Sequence, residues 1–247
     1  MTRWTCDEMP PLQATAGRGG GMNRGLAGRT VLSLFDYTGI WSAPYLAAGA
    51  NVIQIDLKHG IDVMDLCGRW LMRNVMDHFG KVDGILAAPP CTDFAVSGAQ
   101  YWKAKDADGR TARSTEVVLQ VLRIVDFCKP DWWALENPVG RLANLLPQLG
   151  KPWYFQPWWY GDPWTKKTGL FGYFNRALPR NEVTPRRVCS QGSWVQQLGG
   201  KSERTKEKRS ATPPGFARAF FLANSWSVVP PGGTTPFTLS PDGRSRA

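Results

Sequence analysis

The sequence predicts an α/β fold with a mostly parallel sheet and helices on both faces of that sheet. Three observations lead to this class: short apolar runs that end in polar residues, longer segments with apolar residues at helical spacing, and a regular alternation of the two along the chain. Because the chain has 247 residues, of which 43% are hydrophobic, it can bury one sizeable core but not two full domains.

Four strands are predicted, each an apolar run that ends at a polar residue or a proline. In chain order they are Thr30–Phe35, Asn51–Ile55, Val82–Ala87 and Trp132–Leu135. The helices between them are predicted at Ser42–Ala48, Met64–Phe79 and Val117–Phe127. Gly49 and Gly80 end the first two helices, and Ser114 with the following Glu116 begins the third.

Both ends of the chain are predicted to be flexible tails. Residues 1–28 are rich in glycine, and residues 228–247 are rich in proline, glycine and threonine. The apolar runs are too short for a membrane span, and the first residues lack the apolar core of a signal peptide. We therefore expect a cytoplasmic protein that does not contact membranes.

The charge of the chain is unevenly distributed. Thirty Lys and Arg residues against 20 Asp and Glu residues give a net charge of +10. Between Arg180 and Arg218 there are nine basic and three acidic residues. Such a segment favours a polyanion, of which nucleic acid is the obvious example. The alternative is a solvated surface loop.

Metal sites and a disulfide framework are not expected. The five cysteines are widely spaced, no Cys-x-x-Cys pair occurs, and the chain has two histidines. We therefore expect reduced cysteines and no bound metal.

Chemically capable residues follow all four predicted strands. Ligands bind beyond the carboxyl ends of the strands in sheets of this kind, and here those ends carry Asp36, Asp56, Cys91 and Glu136. Nucleoside-binding folds place an acid at the position of Asp56 to hold ribose hydroxyls, although a loop or cap role explains it equally well. Asp62 is either a contact to an adenine amino group or the N-cap of the next helix.

Cys91 and Glu136 form the most informative pair. Two prolines stiffen the loop before Cys91 and hold its sulfur at the sheet edge, where it is either a nucleophile or a small core residue. Glu136 follows an apolar run, so poor solvation should raise its pKa; its alternative role is to cap a helix. On neighbouring strand ends, the two side chains would place a nucleophile and an acid in one pocket.

Six segments occur in an order and spacing typical of one enzyme family. They are Phe35–Gly39, Asp56, Pro89–Gly98, Glu136–Pro138, Thr165–Phe171 and Ala211–Phe221. Together they resemble the cytosine-5 DNA methyltransferase family over residues 30–225, and the Pro-Pro-Cys and Glu-Asn-Pro segments are the most specific. Tyr37 and Ile40 stand where the family often has glycines, and Pro138 replaces the usual valine. Lys166 and Lys167 replace arginines. The positive charge is therefore kept, but the planar guanidinium group, which can bind through two parallel hydrogen bonds, is lost.

The resemblance implies a Rossmann-like methyltransferase fold and S-adenosylmethionine as the cofactor. Cys91 would add to C6 of a flipped cytosine in DNA, Glu136 would bind or protonate N3, and Lys167 would steady the base or the attacking loop. The implied cofactor contacts are Phe35, Asp36, Gly39, Asp56, Leu57, Asp62, Val63 and Pro89. The expected DNA contacts are Lys166, Thr168, Lys206, Lys208 and Arg209.

The resemblance also divides the chain into segments. We expect a catalytic domain at 29–178, a short basic recognition segment at 179–212 and a final helix at 213–227 that returns to the catalytic domain. Only 37 residues separate Asn175 from Pro213, so we expect a flexible basic loop, little or short sequence specificity, and a monomer. So compact an enzyme suits a phage or a mobile element, in restriction-modification or another role.

The segment Trp153–Trp164 has seven aromatic residues in twelve positions. Aromatic side chains either stack on unpaired bases or pack under the sheet. We expect most of this segment to be core, with Trp158 or Trp159 as possible base contacts.

Two other functions stay open. The same Cys and Glu chemistry would modify C5 of a free pyrimidine nucleotide. Alternatively, the chain is a catalytically idle DNA-binding module on the same scaffold, although such a module has no physical need for Cys91 and Glu136.

Overall fold

The computed structural model describes residues 25–188, 190, 192–198 and 202–225. The predicted tails therefore lie outside the described residues, except for 25–28, which form a turn. Leu26 in this turn is buried, and its amide donates to the carbonyl of Ala48 at 3.2 Å. This part of the predicted tail is packed against the domain.

The described strands form a six-stranded mixed sheet. They are β1 Thr30–Leu34, β2 Asn51–Ile55, β3 Gly84–Ala87, β4 Trp132–Pro138, β5 Trp153–Phe155 and β6 Thr168–Tyr173. The order is β2-β1-β3-β4-β6-β5, with β1 to β4 parallel and β6 antiparallel to both β4 and β5. The Rossmann-like α/β arrangement with a mostly parallel sheet, which the sequence predicts, is confirmed.

The helices of the described residues lie between and after these strands. They are α1 Ala43–Ala47, α2 Gly68–Leu71, α3 Asp77–Phe79, α4 Trp102–Ala107, α5 Arg110–Cys128, α6 Leu142–Leu145, α7 Trp194–Gln197, α8 Glu203–Ser210 and α9 Pro214–Ala223. A π-helical turn, Met72–Met76, joins α2 to α3. Short 3-10 turns occur at Leu57–His59, Val63–Asp65, Val96–Tyr101, Pro147–Leu149 and Pro157–Trp159.

The bounds of the predicted strands differ from the structure by up to three residues, and two of the predicted helices begin elsewhere. The helix expected over Met64–Phe79 is interrupted, with a 3-10 turn first and regular helix only from Gly68. The helix α5 begins at Arg110, before the expected Ser114, and the hydroxyl of Ser114 lies within the helix and donates to Asp93 at 2.5 Å.

A hydrophobic cluster covers each face of the sheet. Successive strand residues point to opposite faces, so Val31 packs in one cluster and Leu32 in the other. The first cluster, which contains Leu32, lies under α2 and α5, and the second, which contains Val31, lies under α1 and α9. Helices therefore cover both faces, as predicted.

The aromatic segment contributes mainly to the second cluster. Phe155 stacks on Phe216 of α9 with ring centroids 3.8 Å apart, and Tyr160 is buried beside them. Trp158 and Trp159 remain half-buried, and the guanidinium of Arg180 lies 4.4 Å from the Trp159 ring centroid. Phe155 and Tyr160 are therefore core residues, as the sequence predicts for most of this segment.

Cys67 is disulfide-bonded, whereas Cys91 and Cys128 are free thiols. The expectation of reduced cysteines is therefore wrong at Cys67. Within the described ranges, no three His, Cys, Asp or Glu side chains are grouped so as to hold a metal ion. Of the helices in that part of the chain, none has the length and apolar character needed to cross a membrane.

Replacing Phe216 by alanine should strongly destabilise the fold, because the ring is fully buried and the truncation leaves a cavity between α9 and the sheet. We expect a loss of about 3–5 kcal/mol in the free energy of unfolding, measured by urea denaturation. Leu222→Ala on the same helix is the control: this side chain is 48% exposed, so its change should stay within about 0.5 kcal/mol. Equal losses would mean that α9 does not dock as described.

Candidate active site

The parallel register of β3 and β4 positions the two central residues of the site. Ala87, the last residue of β3, pairs with Leu135, so Glu136 lies one step further along β4. The loop after β3 carries Cys91 at the same edge of the sheet. Because both strands point the same way, their carboxyl ends deliver the thiol and the carboxyl group to one edge.

The loop around Cys91 is a compact turn. Pro89 is buried, Pro90 is exposed, and the Cys91 side chain that follows them is half-buried. The carbonyl of Cys91 accepts hydrogen bonds from the amides of Phe94 at 3.0 Å and Ala95 at 2.9 Å. The backbone that carries the sulfur is therefore ordered by its own turn.

Electrostatic interactions show which charges surround the thiol. Burial raises the pKa of Cys91, and the negative charge of Glu136 raises it further. The positive charges of Lys166 and Arg209 oppose this shift in the pKa. Four groups from four separate parts of the chain therefore belong to one site.

Glu136 is the acid of this group. Burial raises the pKa of the Glu136 carboxyl, as the sequence predicts, and the charge of Lys166 opposes the shift. Glu136 pairs with Leu170 across the antiparallel β4–β6 ladder, so the acid stands within a strand and does not cap a helix.

The two lysines of this loop have different surroundings in the structure. Lys166 is half-buried and acts electrostatically on both Cys91 and Glu136. Lys167 is exposed, and its ammonium lies 4.7 Å from the ring centroid of Tyr154. Lys166 is therefore the lysine whose charge acts on Cys91 and Glu136, and the role expected of Lys167 stays a prediction.

Thr168 does not lie on a DNA-facing surface. It is 1% exposed, and its hydroxyl donates to the carbonyl of Lys166 at 2.9 Å. The expected DNA contact is therefore wrong: Thr168 is the first residue of the buried strand β6, and its hydroxyl holds the preceding lysine loop.

The turn after β1 is held by a buried carboxylate. Asp36 accepts hydrogen bonds from the Ser33 hydroxyl at 3.0 Å, the Ser42 hydroxyl at 2.8 Å and the Ser42 amide at 3.1 Å. Burial raises the pKa of Asp36, although these hydrogen bonds oppose the shift. The Asp36 carboxylate is thus directed into the turn, and its expected contact with a cofactor is corrected to a structural role.

Two residues of the same turn have left-handed backbone conformations. Phe35 has φ 61°, which is uncommon for a residue other than glycine and costs about 1–3 kcal/mol where the surrounding structure enforces it. Gly39 has φ 67°, and a Cβ there would come within 2.7 Å of the Gln54 side chain. Strained residues of this kind cluster at functional sites.

The edge beyond β2 carries two acids that cap short turns. Asp56 accepts a hydrogen bond from the Lys58 amide at 2.8 Å, and Asp62 accepts one from the Met64 amide at 2.9 Å. Among the described residues, the second carboxylate oxygen of each acid makes no hydrogen bond. Both acids therefore cap a turn, and one carboxylate oxygen of each remains available for a hydrogen bond to a ligand.

Leu57 and Val63, the two apolar residues expected at the cofactor, differ in exposure. Leu57 is 55% exposed beside Asp56, which is unusual for a large apolar side chain that follows a buried strand. Val63 is 1% exposed and belongs to the hydrophobic core, so its side chain does not line the open edge.

The basic segment contains a helix where the sequence predicts a flexible loop. In α8 every residue is polar, and Ser202 caps its first turn by accepting from the Thr205 amide at 3.3 Å. The Glu207 carboxylate binds the Lys58 ammonium at 2.5 Å, which joins α8 to the turn after β2. This helix stands next to the site, since the charge of Arg209 acts on Cys91. The three basic residues expected at DNA all lie in α8, and the last two are exposed: Lys206, Lys208 and Arg209.

Residues 71–145 match the family model for C-5 cytosine-specific DNA methylases. This part of the chain is therefore similar to the cytosine-5 DNA methyltransferase family. The matched residues include both Cys91 and Glu136, and they end before the lysine loop and the basic segment. None of the curated proteins compared with the chain matches it.

Two solved structures are similar to the chain. One is a candidate DNA modification methyltransferase encoded within an E. coli prophage, with 17% identity and a TM-score of 0.45. The other is the Entamoeba histolytica methyltransferase EhMeth, with 13% identity and a TM-score of 0.40. The matches cover 71% and 70% of this chain, which spans 56% and 60% of theirs.

Some residues that shape the site give no signal in the sequence. Ser33 and Ser42 hold the turn after β1, and the side chain of Gln156 accepts a hydrogen bond from the Lys166 amide at 3.0 Å. These polar residues are distant in sequence or common in loops, so only their tertiary contacts identify them. Arg209 is expected at DNA from the sequence, but its influence on the thiol is visible only in the structure.

Neutralising the charges around Cys91 should move its pKa in opposite directions. Glu136→Gln removes a negative charge, so the thiolate should form at lower pH, whereas Lys166→Met removes a positive charge and should move its formation to higher pH. The measurement is the rate of alkylation of Cys91 by iodoacetamide as a function of pH, followed by mass spectrometry. Lys167→Met is the matched control and should leave the profile unchanged. A shift for Lys167→Met as large as that for Lys166→Met would contradict this assignment.

Proposed function

We propose that this protein transfers a methyl group from S-adenosylmethionine to C5 of cytosine in DNA through a covalent adduct with Cys91. The observation that carries the proposal is the juxtaposition of Cys91, Glu136 and Lys166 at one sheet edge. The first two lie within the part of the chain that matches the family model. A nucleophile, a proton donor and a cation are the groups that addition to a cytosine ring requires.

The edge formed by β1 and β2 fits the proposed cofactor. S-adenosylmethionine supplies an electrophilic methyl group. Phe35 offers an aromatic ring for its adenine, and the exposed Leu57 offers an apolar surface. Asp56 and Asp62 each keep one carboxylate oxygen for ribose hydroxyls or the adenine amino group. Gly39 shapes the turn beneath them.

Cys91 and Glu136 divide the chemistry on the cytosine ring. The thiolate forms a bond to C6 while Glu136 donates a proton to N3, so the ring electrons are accepted without a localised negative charge. C5 would then bond to the methyl group that S-adenosylmethionine supplies, and the methyl–sulfur bond would break to leave S-adenosylhomocysteine. Loss of the C5 proton restores the double bond, the bond between C6 and sulfur breaks to release the Cys91 thiolate, and the N3 proton returns to Glu136.

The protonation states of the two residues are coupled. Burial raises both pKa values, and an ionised Glu136 further disfavours the Cys91 thiolate. A protonated Glu136 therefore helps the thiolate to form, and it is also the form that donates to N3. Lys166 and Arg209 favour the thiolate from the other side. The same arrangement thus prepares the nucleophile and the acid together.

DNA is favoured over a free nucleotide by the basic helix. The exposed Lys208 and Arg209 lie in α8, and the charge of Arg209 acts on the thiol, so positive charge continues from the site along this helix. Phosphates on either side of a target base would meet this charge. Lys206 belongs to the same helix and is proposed as a DNA contact, together with Lys166.

Three substrates offered in parallel separate the candidate functions. Labelled S-adenosylmethionine is incubated with duplex DNA, single-stranded DNA or dCMP. Transfer to DNA alone supports the proposal, transfer to dCMP supports the free-nucleotide enzyme, and binding of DNA without transfer supports the idle module. The monomeric state and a role in a phage or in restriction-modification stay predictions.

Cys91→Ala should abolish methyl transfer and leave the fold intact, because it removes the thiol that is proposed to form the bond to C6. Duplex DNA that contains 5-fluorocytosine should trap the wild-type protein covalently, since fluorine blocks the elimination that frees the sulfur. Denaturing gels and mass spectrometry of the Cys91 peptide measure the adduct. Cys128→Ala is the matched control and should still be trapped, because Cys128 is buried and burial raises its pKa to about 12. Turnover by Cys91→Ala would exclude the mechanism.

The DNA sequence that the protein recognises should be very short, at most about two or three bases. Alternatively, the protein should also methylate single-stranded DNA. Each bidentate contact in the major groove discriminates by about 1–3 kcal/mol, and long targets need several fixed contacts. In the described part of residues 179–212, the helices that could hold such contacts are short: α8 has eight residues and α7 has four. An already unpaired base also costs less to extract. Bisulfite mapping of exposed DNA tests this, and a strict target of about four or more bases would refute it.

A further inference from the structure

The loop that carries Cys91 is fastened by two cations that are largely removed from water. One of them, Lys105 of α4, is only 5% exposed, which is rare for a lysine. Its ammonium donates to the carbonyl of Thr92 at 2.6 Å and forms an ion pair with the Asp93 carboxylate at 2.9 Å. Lys105 therefore contacts the two residues that directly follow the proposed nucleophile.

Arg141, the second cation, holds the next part of the loop. Its side chain donates to the Asp93 carbonyl at 3.1 Å, and its backbone amide donates to the Phe94 carbonyl at 3.0 Å. The guanidinium also binds the Asp106 carboxylate through two bonds of 2.8 Å and the Thr111 hydroxyl at 2.7 Å. Arg141 thus joins the loop to α4 and α5.

Every carbonyl from Cys91 to Ala95 accepts a hydrogen bond from the protein. Such completeness is unusual for a loop at the edge of a site, because loop carbonyls commonly bind water. The Asp93 carboxylate also accepts from Ser114 at 2.5 Å. Burial alone would raise the pKa of Asp93, but the hydrogen bonds from Ser114 and Lys105 and the Lys105 charge lower it, so Asp93 stays ionised.

Gly140, which follows β4, shows how closely the Cys91 loop packs against the segment after Glu136. A Cβ on Gly140 would overlap the Phe94 carbonyl, and the Val96 amide donates to the Val139 carbonyl at 2.9 Å. The segment that follows Glu136 is thereby joined to the segment that follows Cys91. The nucleophile loop and the acid strand form one unit.

The geometry points to Lys105 as a positioning residue for the Cys91 nucleophile. Its ammonium fixes the loop through Thr92 and Asp93, so the sulfur is held in its attacking position before DNA binds. This role rests on the proposed function of Cys91. Correct placement of a reacting atom carries a large share of catalysis, and a shift of about 1 Å can cost about 100-fold.

The test must separate positioning from simple stability. Lys105→Met leaves the half-buried Asp93 carboxylate without its cation, so it should lower both the melting temperature and the rate. In the double variant Lys105→Met with Asp93→Asn, the unpaired charge is gone, and the introduced amide oxygen can still accept from Ser114. We expect this variant to regain most of the lost melting temperature. The Thr92 carbonyl remains without its donor, so the loop stays loose.

Two measurements on the double variant decide the proposal. Covalent trapping by 5-fluorocytosine DNA should be up to about 100-fold slower than in the wild type at saturating DNA and cofactor. Hydrogen exchange of the amides of Phe94 and Ala95 should be faster by about tenfold, the change expected on losing one hydrogen bond. Lys103→Met, an exposed lysine on the same helix, is the control and should match the wild type in both measurements.

Each outcome has a defined meaning. Wild-type trapping rates and exchange in the double variant would overturn the proposal and leave Lys105 as a residue that only stabilises the fold. An equal effect in Lys103→Met would overturn it too. If the wild-type protein forms no adduct at all, the proposed function fails. The exchange measurement still judges whether Lys105 orders the loop, because it needs neither DNA nor cofactor.

Discussion

The burial of two ionisable groups at one sheet edge is the constraint on which the site depends. Cys91 and Glu136 are both half-buried, burial raises both pKa values, and an ionised Glu136 raises the pKa of the thiol further. Charges in such surroundings need nearby opposite charges or hydrogen bonds to form. Lys166 and Arg209 supply the positive charge, and they come from segments far away in the sequence. The fold brings these four segments together around the thiol.

Carboxylates that are shielded from solvent order the two loops that border this edge. Asp36 ties the turn after β1 to Ser33 and Ser42, and Asp93 ties the Cys91 loop to Lys105 and Ser114. In both cases a charged group binds the protein itself and not a ligand. Polar networks of this kind are costly when incomplete and specify one conformation when satisfied. Both loops at this edge are thereby tied to the body of the protein by a carboxylate.

The basic helix α8 connects the turn after β2 to the surroundings of Cys91. Its Glu207 binds Lys58 near the proposed cofactor edge, while its Arg209 acts on the thiol. Arg209 contributes to the electrostatics of the thiol and is also a proposed contact with DNA. Binding of a polyanion along α8 would change the field at Cys91 directly.

The sequence by itself determined the α/β class, the positions of the parallel strands and the prominence of Cys91 and Glu136. Apolar periodicity and the residues that end each strand are local signals, and the carboxyl ends of parallel strands meet at one edge by geometry alone. Only the tertiary structure decided that Lys166 and not Lys167 faces the site, and that Asp36 and Thr168 serve the protein interior. It also replaced the expected loop by α8 and brought Lys105 to the Cys91 loop. These features depend on which side of a segment is buried and on contacts between residues that are distant in sequence. Local sequence patterns determine neither the buried side nor the distant contacts.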